Sequence, residues 1–145
     1  MTTTAAPIAT TSSSTDLSLT RLYLLRAGYL FMGGGLALVK WPLLGDAHTM
    51  PLYEGVTLCL LTAMSLLALV GLKLPVAMLP VLLLEVTWKL IWLGLVALPA
   101  SRAGDLDPAM SEVLVNCSFV VVIIAVIPWR HVWRAYVRAG GARWR

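Results

Sequence analysis

The stretch from Leu74 to Leu98, LPVAMLPVLLLEVTWKLIWLGLVAL, limits the fold more than any other part of the chain. A helix needs about 20 mostly apolar residues to cross the hydrocarbon core of a bilayer, and this run supplies them. Only Glu85 and Lys89 carry charge within it. They are spaced i, i+4 with the acid N-terminal to the base, so a helix puts both on one face. Trp88 and Trp92 lie on or beside the same stripe. Two central charges cost about 5–7 kcal/mol on an insertion scale, with Glu treated like Asp, and the Leu, Ile and Val residues return about 4–8 kcal/mol. Alone, such a helix is close to break-even. It becomes favourable when the charges pair and turn toward neighbouring helices rather than lipid. Lys89 lies about 13 Å from the Leu98 end at 1.5 Å per residue, too far for its stem to snorkel to water.

Three further apolar stretches run over about 19–39, 55–72 and 113–128. The chain is 59% hydrophobic and 12% charged, whereas a soluble domain is nearer 25% charged. The expected fold is an all-α membrane protein. Four transmembrane helices form an antiparallel bundle over residues 17–138, extended by a basic amphipathic C-terminal helix. Residues 1–16 read as a disordered Ser/Thr-rich tail without a basic leader region, and 139–145 as a basic tail.

Within the first span, Arg21 and Arg26 are placed to snorkel to headgroups, and Gly33, Gly34 and Gly35 fall near mid-depth. Consecutive glycines weaken a helix by about 1 kcal/mol each but allow close backbone approach. Packing by the third helix and a polar site facing the glycine carbonyls are both open readings. Thr62, Ala63, Ser65 and Ala68 give the second span a seam of small residues. Gly71, Lys73 and Pro75 predict a tight turn, making spans two and three a hairpin. Asp107-Pro108 reads as an N-cap followed by the first helical residue. Asn116 and Ser118 are the polar residues of the fourth span, expected to hydrogen-bond between helices. At the C-terminus Arg130, Arg134 and Arg138 recur every four residues beside Trp129, Trp133 and Val137. That pattern suits an anionic membrane surface.

The candidate intramembrane polar site is therefore Glu85, Lys89, Trp88 and Asn116. It is either a proton, ion or polar-ligand site, or a self-neutralising pair that sets helix rotation. No catalytic, metal or cofactor site is expected. His48 lacks ligand spacing, both histidines lie outside the spans, and Cys59 and Cys117 form no CxxC and read as buried free thiols. Nucleic acid is not an expected partner, because no domain accompanies the arginines to read it. Basic residues in short flanks set orientation. Arg21, Arg26, Lys73, Arg130, Arg134, Arg138, Arg143 and Arg145 gather on one side, against Lys40 and Arg102 on the other. Both termini are thus expected in the cytoplasm.

PLYEGV, LALVGLKLPVAMLPVLLLEVTWKLIWLGLVALP, DPAMSE, VIPWRHVW and the final RWR together cover most of residues 20–145. On these segments the chain resembles a group of small four-span bacterial integral membrane proteins of uncharacterised role. The resemblance implies an inner-membrane location and a four-helix bundle, and no activity. The expected function is a non-enzymatic helical module or accessory subunit, with the lipid bilayer and a second copy or another membrane protein as partners. The alternative is a small proton-linked or ion-linked transporter using Glu85 and Lys89. Four spans and an embedded acid are similar to the small multidrug-resistance class, but there the acid lies in the first helix and here in the third.

Overall fold

The computed structural model describes residues 17–139, and every regular element among them is helical. The tail expected at 1–16, and all but Ala139 of the one expected at 139–145, lie outside the described residues. Helix α1 (Leu19–Lys40) starts where Ser18 Oγ accepts the Arg21 N–H at 3.4 Å. It tightens directly into a 3-10 segment, Trp41–Thr49, with Pro42 in the first turn, where its missing N–H costs nothing. The expected first loop is thus largely helical. Helix α2 (Leu52–Gly71) follows, then α3 (Leu79–Ala103) and α4 (Pro108–Val126). A short α5 joins an α-helical turn, Trp129–Val132, to π-helical Trp133–Val137.

The first four helices are each long and apolar enough to cross a membrane. Leu38, Leu60, Leu95 and Val121 stand exposed on α1, α2, α3 and α4 in turn. Apolar surface on every helix suits lipid as the solvent and would be an aggregation hazard in water. The chain is a multi-pass membrane protein by this measure.

Prolines explain where the helices depart from the expected spans. Residues 72–78 form successive turns instead of opening the third helix at Leu74. Met78 N–H reaches Leu74 O at 3.1 Å, and the helix proper starts with Pro80 in its first turn. At the other end α3 runs past Leu98, where the expected span ends, and through Pro99. A π-helical turn, Leu93–Ala97, lies just before it, with Leu98 N–H on Leu93 O. The wider turn accommodates a proline ring that would otherwise strike the carbonyl four residues back. Gly104, at φ 78°, then ends the helix. Asp107 caps α4 as its sequence predicts, accepting the Met110 N–H at 2.6 Å. Pro128 ends α4, because the residue before it, Ile127, is forced extended at ψ 128°.

Helices α1 and α2 make the broadest contact, with Tyr29 against Gly71 and Gly33 against Ala68. Arg26 Nε donates to Leu72 O at 3.0 Å, and Tyr29 Oη to Pro75 O at 2.8 Å. Ser65 Oγ donates to Gly33 O at 2.8 Å. Arg26 therefore ties α1 to the α2–α3 connection. The Tyr29 ring lies on Gly71, where an added Cβ would sit 2.5 Å from Tyr29 Cδ1. Gly33 faces Ala68 closely, and an added Cβ would sit 3.1 Å from Ala68 Cβ. The close approach at the glycine run belongs to α2, not to the third helix. Leu25, Tyr29, Ala68, Leu82, Val120 and Ile123 form the shared core of all four helices.

Candidate functional site

Helix α4 is two helical pieces, Pro108–Ser118 and Val120–Val126, parted at Phe119 with ψ −8°. The break needs no proline. Asn116 O accepts the Phe119 N–H at 3.3 Å, a tightened turn, and also accepts Lys89 Nζ at 3.3 Å. A side chain inserted into a helix ladder is a known cause of such breaks. The basic residue of α3 is thereby fastened to the backbone of α4.

Lys89 is a member of a hydrogen-bonded cluster. Its Nζ lies 2.9 Å from Glu85 Oε1, and Trp88 Nε1 donates to Glu85 Oε2 at 2.7 Å. Lys89 Nζ also stands 5.6 Å from the Trp88 ring centroid, within cation–π range. Glu85 and Lys89 are 2% and 6% exposed. Both carboxylate oxygens have a donor, and the pair is neutral as a unit. The i, i+4 spacing and the tryptophan at i+3 fix this geometry locally, since all three project from neighbouring positions on one helix face.

The structure brings all four intramembrane residues singled out by sequence to one place. Asn116 joins through its backbone carbonyl, while its side chain is exposed. Ser118 donates to Leu114 O of its own helix at 2.8 Å, so it makes no bridge. Arg130, Arg134 and Arg138 are exposed on and just after α5 and lie away from the cluster. Cys59 and Cys117 are free, the first exposed and the second buried.

Beside the pair lies a cleft of about 530 Å³ between α1, α3 and α4. Helix α1 packs on the C-terminal half of α4, while the N-terminal half of α4 meets α3 at its π-turn. The two helices therefore part toward the end where α1 stops and α4 starts. Gly35, Phe31 and Phe119 line the flanks, and Lys40 and Glu112 stand at that open end. Phe31 and Phe119 meet edge to face, centroids 6.0 Å apart. Sequence reasoning did not pick out Gly35 as distinct from its neighbours. The signal was there, because three glycines in a row exceed what one close helix contact uses.

No group of three or more His, Cys, Asp or Glu residues that could hold a metal occurs among the described residues. No family model, curated protein or solved structure matches this chain.

Proposed function

We propose that this chain is a small non-enzymatic membrane module, an accessory subunit or a self-associating protein, built as an antiparallel four-helix bundle. The reading rests on the Glu85–Lys89–Trp88 cluster. Its charges are partnered within one helix and spent on holding α4. A group committed to such bonds is suited to fixing helix register, the best-attested use of buried ion pairs. The exposed apolar surface of α2 supports contact with lipid or with another spanning helix. The resemblance to small four-span bacterial proteins agrees with this architecture and with an inner-membrane location.

Both termini are assigned to the cytoplasm from the bias of Lys and Arg in the flanks. Helix α5 then lies along the cytoplasmic surface. Trp129, Trp133, Arg130 and Arg134 are all exposed on it, and His131 faces inward. Aromatic and basic groups side by side match the headgroup layer of an anionic leaflet.

A second reading, a small proton-linked or ion-linked carrier, draws on one observation: Glu85 and Lys89 line the cleft. Purification from native membranes in mild detergent separates the two. A stoichiometric partner or a defined oligomer is the expected result. A monomer that drives proton-coupled flux in liposomes overturns the module reading.

A further inference from the structure

The cleft beside the ion pair contains polar capacity that the fold leaves unused. An ammonium has three donors. Lys89 Nζ spends one on Glu85 Oε1 and one on Asn116 O, and among the described residues it has no third acceptor. It is 6% exposed and lines the cleft. Asn116 also lines the cleft, is exposed, and meets Lys89 through its backbone carbonyl and not through its side-chain amide. An unused donor at the depth of a spanning helix is costly in hydrocarbon unless something meets it.

The walls state what that something is. Phe31, Leu36, Val115 and Phe119 are apolar, and Phe31 and Phe119 are 45% and 51% exposed, so the flank is open to acyl chains. A volume of about 530 Å³ falls within the range of small-molecule sites. The floor is already neutral, since Glu85 balances Lys89. A carboxylate or an amine placed there would add an unbalanced charge in low dielectric.

We propose that the cleft between α1, α3 and α4 binds a neutral single-chain amphiphile, its carbonyl accepting from Lys89 Nζ and Asn116, its chain lying along Phe31 and Phe119. A hydroxylated head would extend toward Lys40 and Glu112 at the open end. The inference goes beyond the module reading and stands or falls separately from it. A partner subunit can be present or absent without changing what the cleft holds.

The test is native mass spectrometry of the delipidated full chain in detergent, titrated with monoolein, oleate and pentadecane. Monoolein is neutral with an ester carbonyl, oleate is its anionic counterpart, and pentadecane has no acceptor. Monoolein should form a one-to-one complex, with both others at least tenfold weaker. Gly35→Leu should abolish the complex. A Cβ at Gly35 meets nothing within 4 Å, so the new side chain fills the cleft without straining the helix. Asn116→Leu keeps the backbone carbonyl that holds Lys89 and should weaken binding roughly three- to tenfold, the worth of one hydrogen bond. Gly94→Leu, equally open but away from the cleft, should bind as the parent chain does. Undiminished binding in Gly35→Leu overturns the site, as do equal binding of pentadecane or tighter binding of oleate. Should Gly35→Leu fail to elute as a single folded species, Asn116→Leu decides the question in its place. Full affinity in that variant overturns the assignment.

Discussion

Lys89 and Glu85 neutralise each other at a depth where either alone would be an uncompensated charge. Removing one partner of a buried pair typically costs about 3–5 kcal/mol, while replacing both with apolar groups is often neutral. Glu85→Gln and Lys89→Met should each lower thermal stability and yield in detergent, and the double variant should recover most of both. Loss of a transport activity in all three variants with normal yield would instead favour the carrier. Two glycines make a second contrast. Gly→Ala in a helix interior ordinarily gains about 0.8–1 kcal/mol. Gly35→Ala should show that gain, since its Cβ has open space. Gly71→Ala should lose stability instead, because the Tyr29 ring occupies the position. Melting temperatures that moved the same way in both would refute the stacked Tyr29–Gly71 contact.

At the scale of elements, the start of α4 was legible, whereas α3 begins at Leu79 and not at the expected Leu74. Asp107 followed by Pro108 is a cap with a mechanism, and the carboxylate does accept the Met110 N–H. Asp107→Ala should cost α4 about 1 kcal/mol, and Asp107→Asn should keep most of it, as read by the midpoint of thermal unfolding. The expected third span ends at Leu98, just before Pro99, a residue that acts as a stop in an α-helix with regular turns. It failed as one because the preceding π-turn removes the clash, and a π-turn has no composition to read. The break at Phe119 was hidden for a related reason. Its partner, Lys89, comes from another helix, so no local pattern in α4 announces it. Ser65 to Gly33 is a further cross-helix bond that two separate small-residue seams foreshadowed without pairing. Ser65→Ala should cost about 0.6 kcal/mol, and at most about 1.7, the measured span for such bonds in a membrane.

For the whole molecule, the charge bias carries a topology that can be tested directly. With Cys59 and Cys117 replaced, single cysteines at Ser14 and Ala142 should be labelled from the cytoplasmic side. A cysteine at Ala103, on the last residue of α3, should be labelled from the opposite side. Cytoplasmic labelling at Ala103 would invert the assignment and with it the placement of α5. The cleft would then open toward the cytoplasm, since Lys40 and Glu112 share the Ala103 end of the bundle under either orientation. The site was half legible in advance. Glu85, Trp88 and Lys89 follow from spacing on one helix, whereas the cleft needs α1 and α4 to diverge.

Hydropathy and length settled the class by themselves. Four long apolar stretches leave a chain little choice, because backbone groups in hydrocarbon must bond within their own helix. The acid–base pair was equally local, since one helix face supplies both members. Tertiary structure decided the rest: which glycine is packed and which is open, which carbonyl holds the ammonium, and where a space remains. Those depend on the distance between helices, and a sequence records side-chain sizes on each helix without recording which faces meet.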